Sequence, residues 1–242
     1  FSFHISRLRR TVRIFTCLIG ILSLPAQAVL EIKISGSVSA AIPIAIAPFT
    51  LNNGADPSSA VVGQVIEQDL QRSGLFSALP AADHPQKLTY STAISYPLWR
   101  SELGADYVVL GAVQKTGSGG ATGYMVSVQL ADVYKGSVMA AYQVATDRNG
   151  IRAAGHQIAN FLYEKLTGKK GMFASQLAWV QVSGVGKART YRLMMADSDG
   201  FDPKALVTAN YPLLSPSFSR DGKQLAYAVI QNGQSAIYVQ NI

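Results

Sequence analysis

Three aspartates within six residues are the part of this sequence that most resembles a ligand-binding motif. They lie in Asp197-Ser198-Asp199-Gly200-Phe201-Asp202. An EF-hand calcium loop requires glycine at its sixth position and glutamate at its twelfth, whereas Gly200 is the fourth residue here and Thr208 is the twelfth. The spacing therefore favours a tight turn with solvated carboxylates, and we predict no metal site and no cofactor.

Nucleophilic catalysis also lacks a signal in this sequence. The chain has three histidines and one cysteine. The histidines do not have the spacing of a zinc site, and no serine occupies a Gly-x-Ser-x-Gly elbow. We expect His84, which lies beside Pro85, to face solvent, and His156 to pack within a helix or lie on its surface. The residue types therefore predict a protein that is not an enzyme.

The glycine-rich segment at residues 117–123 has the composition of a phosphate-binding loop. Such a loop leads into a helix, whose N-terminal amides bind the anion. Here the segment leads into Tyr124-Met125-Val126-Ser127-Val128-Gln129, which alternates as a strand does. We therefore predict a flexible hairpin rather than a phosphate site.

The first 28 residues have the features of an export signal. Four arginines without any acidic residue precede an apolar run at 14–24, and Pro25 and Ala26-Gln27-Ala28 follow it, as at a signal peptidase site. Cys17, the single cysteine, lies inside this run. We predict a mature chain from Val29 onwards that has no disulfide and resides in the periplasm of a Gram-negative bacterium.

The removal of this segment changes the charge of the protein. The whole chain has 21 basic and 14 acidic residues and a formal net charge of +7. Without the four arginines of residues 1–28, 17 basic residues oppose the same 14 acidic ones, a net charge of +3. No basic run is interleaved with aromatic residues, so nucleic-acid binding is not indicated.

Residues 29–42 are predicted to form an extended segment that binds a partner. The segment begins with the alternating sequence Leu30-Glu31-Ile32-Lys33-Ile34, so a strand here would have one apolar and one charged side. Such a strand can add to the edge of another sheet, or it can pair within its own domain; both alternatives are open. With its two neighbours, this alternating sequence consists of Val29, Leu30, Glu31, Ile32, Lys33, Ile34 and Ser35.

Residues 43–168 are predicted to form an α+β domain. An apolar strand comes first, followed by a helix that Asp56 is expected to cap and Gly74 to end. A short helix, three strands and a second long helix, which ends at Gly168, complete the domain. Strands and helices mix without regular βαβ alternation, which is typical of an α+β fold.

An all-β pattern follows a linker at residues 169–173. Three Asp-Gly or Asn-Gly turns lie among four short strands, predicted at 177–182, 191–196, 224–230 and 236–240. We predict that residues 174–242 form one blade of a β-propeller. Since a propeller needs roughly four to eight blades, we expect the chain to be the front part of a longer protein. The turn motif of this blade consists of Ser215, Pro216, Ser219, Asp221 and Gly222.

Five groups of residues together resemble the TolB family, the periplasmic propeller proteins of the Tol-Pal envelope system. The upstream domain and the linker make the resemblance specific, because the blade motif alone also occurs in peptidase propellers. The resemblance covers essentially the whole chain. Its carriers are Pro43-Ile44 with Pro48-Phe49, Leu103-Gly104-Ala105-Asp106-Tyr107-Val108-Val109, Leu166-Thr167-Gly168-Lys169-Lys170-Gly171-Met172-Phe173, Ser198-Asp199-Gly200, and Ser215-Pro216-Ser217-Phe218-Ser219-Arg220-Asp221-Gly222-Lys223-Gln224-Leu225-Ala226-Tyr227.

The resemblance implies a monomeric, non-catalytic scaffold in the periplasm. In this family the mature amino-terminal segment, here residues 29–35, binds the carboxy-terminal domain of TolA, and the propeller binds the lipoprotein Pal across several blades. The resemblance thus implies a link from TolA to Pal that serves outer-membrane integrity and constriction during cell division. With a single blade, we do not expect this chain by itself to bind Pal.

The alternative is the front part of a secreted serine peptidase whose propeller guards its catalytic domain. Such a catalytic domain would contain a Gly-x-Ser-x-Gly motif and a late histidine.

Overall fold

The structure is a computed structural model that describes residues 40–117 and 123–242. The predicted export signal, the candidate partner-binding residues 29–35 and the tip of the glycine-rich segment, residues 118–122, lie outside the described residues. Within the described ranges, no helix is both long enough and apolar enough to cross a membrane.

A six-stranded mixed sheet forms the centre of the amino-terminal domain. Strands β3, β1 and β4 pair in parallel in that order, β2 also pairs in parallel with β4, and β4, β5 and β6 form antiparallel hairpins. Parallel neighbours require long connections, which here contain the helices, whereas the hairpins need only short turns. The strands are β1 (Ile42–Ile46), β2 (Thr50–Asn52), β3 (Phe76–Leu79), β4 (Tyr107–Thr116), β5 (Gly123–Asp132) and β6 (Ser137–Asp147).

The first helix of the domain begins where the sequence predicts a cap, and the other two end at their predicted glycines. The Asp56 side chain accepts a hydrogen bond from the N–H of Ser58 at 2.9 Å and caps a 3-10 turn that leads directly into α1. Gly104 and Gly168 follow α2 and α3 with φ angles of 62° and 72°, which glycine adopts without a Cβ clash. The helices are α1 (Val61–Arg72), α2 (Tyr96–Leu103) and α3 (Ile151–Thr167).

Alternation along β4 places its side chains in two cores. Val109 and Val113 pack in the core that contains α1 and α3. Val108 and Leu110 pack in the second core, which contains Trp99 of α2. The sheet is therefore covered on both faces, which explains why the central part of β4 is apolar without interruption. These features confirm the predicted α+β domain.

Two three-stranded antiparallel sheets form the strand-rich region that follows. The first contains β7 (Gln176–Ser183), β8 (Thr190–Asp197) and β9 (Lys204–Ala209); the second contains β10 (Leu213–Phe218), β11 (Gln224–Gln231) and β12 (Gln234–Asn241). Leu193 of the first sheet and Leu213 and Leu225 of the second are buried in one shared core. An α+β domain followed by an all-β segment is thus confirmed.

The prediction that four strands form a single blade sheet is wrong. All four strands are present, but two belong to each sheet, and β9 and β10 complete the sheets. β10 was not predicted because it contains Pro216 and a bulge between Leu214 and Ser217, where Ser215 has a φ of 51°. Such residues hide the period-two pattern of a strand. The short strands β2 and β3 were missed because three or four residues cannot show a clear alternation.

The predicted linker at residues 169–173 is fixed to α3 at its far end. The N–H of Phe173 donates to Oδ1 of Asn160 at 2.7 Å, and its ring packs edge-on against Tyr163 with centroids 5.5 Å apart. A Cβ on Gly171 would lie 2.8 Å from the Cα of Asn160, so a larger residue does not fit there. The strand-rich region therefore starts from a defined point on the domain.

Candidate functional site

A cluster of charged and polar side chains lies where α3 meets the turn after β8. We call it the polar joint, and its members are Asp69, Arg152, His156, Asp197 and Asp199. Helix α3 supplies Arg152 and His156, which are four residues apart and so lie on the same helix face. Helix α1 supplies Asp69, and the end of β8 and the following turn supply the two remaining aspartates. The polar joint therefore connects the amino-terminal domain to the strand-rich region.

Close packing of α1 against α3 brings Asp69 to His156. A Cβ on Gly155 would lie 3.0 Å from Cγ1 of Val65, so the absence of a side chain lets the helices approach. Asp69 and His156 are 1 % and 2 % exposed. Oδ2 of Asp69 lies 2.6 Å from Nδ1 of His156, and Oδ1 lies 2.5 Å from Nη2 of Arg72. Both carboxylate oxygens are thus partnered, as a buried charge requires.

The other ring nitrogen of His156 faces two further carboxylates. Nε2 lies 4.0 Å from Oδ2 of Asp197 and 3.9 Å from Oδ2 of Asp199, which is beyond hydrogen-bond distance. Nε2 is buried and has no hydrogen-bond partner within residues 40–117 and 123–242. Nδ1 of His156 donates to Oδ2 of Asp69, and Nε2 faces the two aspartates.

Arg152 holds the turn after β8. Its Nη2 donates a hydrogen bond to Oδ2 of Asp199, and its Cζ lies 3.8 Å from the centroid of the Phe201 ring. The N–H of Phe201 donates to Oδ1 of Asp199 at 3.0 Å. Burial tends to raise the pKa of Asp199, but the Phe201 N–H and the charge of Arg152 outweigh this effect and leave the pKa below its usual value. Asp199 is therefore ionised at neutral pH.

The prediction of solvated carboxylates at residues 197–202 is wrong for Asp199. Only 12 % of its side chain is exposed, compared with 37 % for Asp197 and 57 % for Asp202. Asp202 pairs with Lys204 at 2.9 Å on the surface, as a solvated turn residue does. The sequence could not reveal this difference, because it depends on Arg152, 47 residues away.

Of the two histidines in the described residues, one lies as expected and the other does not. His156 is buried, in agreement with one of the two predicted alternatives, packing rather than a surface position. His84 was expected to face solvent, but its ring packs edge-on against Trp99 with centroids 5.0 Å apart. Its Nε2 lies 3.2 Å from the carbonyl oxygen of Leu79. Desolvation is the main cause that lowers the pKa of His84.

The predicted turn motif builds the connection between β10 and β11. Oγ of Ser219 donates to Oδ1 of Asp221 at 2.6 Å, and the N–H of Gly222 donates to the carbonyl oxygen of Ser219 at 2.9 Å. The hydrogen bond from Ser219 is the main reason that the pKa of Asp221 lies below its usual value. Ser215 and Pro216 belong to the bulge of β10. The five motif residues therefore shape this turn and the strand before it.

A pocket of about 470 Å³ joins the turn motif to the polar joint. Its lining includes His156 and Asp197 of the polar joint together with Ser219, Arg220 and Asp221. The structure thus brings part of the predicted turn motif near residues that the sequence did not assign to any site. One signal was present in the sequence: Arg152 and His156 are polar residues four positions apart on α3.

Two TolB domain families match most of the chain. The TolB amino-terminal domain matches residues 30–139, and the TolB beta propeller domain matches residues 163–242. The first match covers the six-stranded sheet as far as the start of β6, and the second runs from the end of α3 through both small sheets.

Curated relatives give the same result. The chain is 39 % identical over 235 residues to the "Tol-Pal system protein TolB" of Xanthomonas oryzae pv. oryzae (strain MAFF 311018). The aligned part is 97 % of this chain and 53 % of the relative. The chain is 39 % identical over 213 residues to the protein of the same name from Xanthomonas campestris pv. campestris (strain B100), which covers 88 % and 48 %. The chain therefore spans about half the length of the curated relatives it matches.

A solved structure shares the fold described above. The crystal structure of TolB from Acinetobacter baumannii superposes with a TM-score of 0.70 and 31 % identity, over 84 % of this chain and 47 % of that one. The domain matches, the relatives and this structure agree with the motifs found in the sequence. The chain belongs to the TolB family.

Proposed function

We propose that this protein is a non-catalytic, periplasmic scaffold of the Tol-Pal system. The observation that carries the proposal is its similarity to proteins named "Tol-Pal system protein TolB" over nearly its whole length. The scaffold would link a TolA-like inner-membrane protein to a Pal-like lipoprotein, and would thereby serve outer-membrane integrity and constriction during division. Export to the periplasm rests on the signal features of residues 1–28.

The environment of the histidines supports binding rather than catalysis. Nε2 of His84 contacts the Leu79 carbonyl oxygen, and Nδ1 of His156 contacts Asp69. Within the described part of the chain, neither histidine is hydrogen-bonded to a serine, threonine or cysteine. A nucleophile activated by an adjacent base would require such a contact.

The amino-terminal segment at residues 29–35 is the proposed TolA-binding element. Its alternation places Leu30, Ile32 and Ile34 on one side of a strand and the charged residues on the other. Addition of this strand to the edge of the partner's sheet would satisfy its backbone hydrogen bonds and bury the apolar side. No cofactor and no covalent step is needed.

A matched pair of variants tests this assignment. The double variant Ile32→Asp/Ile34→Asp puts two carboxylates on the apolar side, and Glu31→Asp/Lys33→Asp puts two on the charged side. We expect the first to weaken binding to the carboxy-terminal domain of the TolA-like partner by at least about 100-fold, because buried charge costs several kcal/mol, and the second to change it little. Equal affinities for the two variants, measured by calorimetry, would refute the assignment.

Pal binding is proposed for the whole propeller rather than for this chain alone. The chain covers about half of the relatives it matches, and the family's Pal site extends across several blades. In a pull-down with a Pal-like lipoprotein, we expect a full-length TolB relative to bind and this chain to bind weakly or not at all. Retention of the lipoprotein by both to the same extent would limit the Pal site to the residues present here.

A further inference from the structure

The polar joint contains one nitrogen and two carboxylate oxygens that converge on a single point. We propose that Nε2 of His156, Oδ2 of Asp197 and Oδ2 of Asp199 bind a divalent transition-metal ion, with zinc as the best match. These three atoms lie within 4.8 Å of one another. The proposal goes beyond the scaffold function, and it departs from the expectation, based on aspartate spacing alone, that the chain has no metal site.

Asp69 prepares His156 for this role. Oδ2 of Asp69 accepts the Nδ1 proton of His156 at 2.6 Å, which fixes the ring and leaves Nε2 directed at the two aspartates. A carboxylate on the far nitrogen is the usual partner of a metal-binding histidine, because it sets the tautomer and raises the basicity of the ligand. Arg72 holds the other oxygen of Asp69 at 2.5 Å, so this carboxylate is itself fixed.

The missing hydrogen-bond partner of Nε2 of His156 is a second observation that supports a bound cation. Buried polar atoms almost always have a hydrogen-bond partner. His156 is 2 % exposed, and its Nε2 finds no partner in the described ranges. Oδ2 of Asp197 and Oδ2 of Asp199 face it at 4.0 Å and 3.9 Å. A cation between the three atoms would give Nε2 a partner and would bridge the two carboxylates.

The distances suit an ion after a small adjustment. Zinc binds nitrogen at about 2.0–2.1 Å and carboxylate oxygen at about 2.0–2.2 Å, so two of its ligands in tetrahedral geometry lie about 3.4 Å apart. The separations of Nε2 from the two aspartate oxygens, 3.9 Å and 4.0 Å, exceed this distance by about 0.5 Å, and side-chain rotations would close the site. Asp197 has room to rotate because 37 % of its side chain is exposed and it lines the pocket. A water from the pocket would supply a fourth ligand.

The ligand set selects the class of metal. One imidazole and two carboxylates suit zinc and its neighbours in the first transition series. Calcium prefers six to eight oxygen ligands, and magnesium prefers octahedral oxygen. Arg152 donates to the same oxygen of Asp199. The arginine holds that carboxylate in place, and its positive charge partly offsets the negative charge of the carboxylate. We therefore expect weaker metal binding than at a site without the arginine.

A bound ion would cross-link α3 to the turn after β8. It would thereby fasten the amino-terminal domain to the strand-rich region by bonds that exist only in the folded protein. Because a ligand that binds only the folded state stabilises it, we expect zinc to raise the melting temperature of the chain and a chelator to reverse the rise.

The test is a zinc titration of the purified chain at neutral pH after chelator treatment, with calorimetry and melting temperature as readouts. We expect one ion per chain. Asp197→Asn should weaken binding by about tenfold or more, and it should fold normally because Asp197 is partly exposed. Asp202→Asn is the matched control, since Asp202 lies in the same turn, is 57 % exposed and pairs with Lys204; it should keep the wild-type affinity.

A cobalt(II) titration gives an independent readout, because a site with a histidine ligand changes the visible absorption of the ion. His156→Gln should abolish this change, and circular dichroism checks that the variant is folded; if it is not, Asp197→Asn decides. Three results would overturn the proposal. These are no zinc binding at millimolar concentration, unchanged affinity in Asp197→Asn, and a melting temperature that depends on pH but not on zinc, which would show that a proton on Nε2 neutralises the cluster.

Discussion

The amino-terminal domain and the strand-rich region bury their side chains in different ways. In the domain, helices cover both faces of the six-stranded sheet, and side chains such as Leu162 and Trp99 are fully buried. In the strand-rich region, two small sheets share one core. Strand β12 leaves Ile237 79 % exposed and Val239 61 % exposed.

This difference predicts which part of the chain can fold by itself. The domain closes its own cores, whereas propeller sheets are normally covered by the next blade in the ring. The strand-rich region also depends on contacts with the domain, through the polar joint and through Phe173, which packs on the domain core. We infer that the domain is the independent unit and the strand-rich region the dependent one.

The largest expected effect is a difference in stability between two alanine substitutions, one in each region. Leu162→Ala removes a fully buried side chain of α3, so we expect a loss of about 3 kcal/mol in the free energy of unfolding. Ile237→Ala removes a side chain of similar size that is 79 % exposed, so the change should be below about 0.5 kcal/mol. Urea unfolding followed by circular dichroism measures both. Equal losses would contradict the comparison.

The second prediction concerns the contact between the regions. Arg152→Ala removes the hydrogen bond to Asp199 and the stacking on Phe201, which we expect to cost about 2 kcal/mol. Limited proteolysis should then cut within residues 176–242 several times faster, while residues 40–167 stay protected.

Arg148→Ala is the control for this prediction. It removes a surface pair with Asp56 inside the domain, in which the arginine is 69 % exposed, so the cleavage pattern should not change. If Arg152→Ala leaves the strand-rich region as resistant as before, the polar joint does not hold the two regions together.

The smallest effect is the pH dependence that His84 gives the domain. Desolvation against Trp99 lowers the pKa of His84 below the ordinary value of 6.5. The folded state thus binds a proton at His84 less readily than the unfolded state does. The stability that neutral His84 contributes to the fold is therefore complete above pH 6.5 and is lost as the pH falls through the pKa of the folded state.

The midpoint of urea unfolding, measured at several pH values from neutral to mildly acidic, tests the role of His84. His84→Phe keeps a ring against Trp99 but cannot titrate, so the wild-type protein should lose more stability than this variant as the pH falls. Parallel curves for the two proteins would show that His84 titrates as it does in the unfolded chain.

Much of the domain could be predicted from the sequence because its signals are local. Asp56 and Pro57 mark the start of the first helix, Gly104 and Gly168 end the other two, and the apolar run of β4 and the alternation of β5 are clear. The grouping of strands after the linker could not be predicted, because sheet membership depends on which strands meet in space. The bulge at Ser215 further concealed β10.

The polar joint could not be predicted for the same physical reason. Asp69 and His156 are 87 residues apart, and Arg152 and Asp199 are 47 apart. Judged alone, the aspartates of residues 197–202 resemble an incomplete calcium loop, and His156 resembles a packing residue. Only the approach of α3 to this turn gives them a shared environment. The candidate partner-binding residues 29–35 lie outside the described residues, so their role stays a prediction from the sequence.

The measurement that tests the central claim most directly is a calorimetric titration with the carboxy-terminal domain of the TolA-like partner. The partner is titrated into a chain that begins at Val29 and into one that begins at Gly36. We predict saturable one-to-one binding to the first and none to the second, with the same melting temperature for both. Equal binding to both chains, or no binding to either, would contradict the proposal that residues 29–35 tie this protein into the Tol-Pal system.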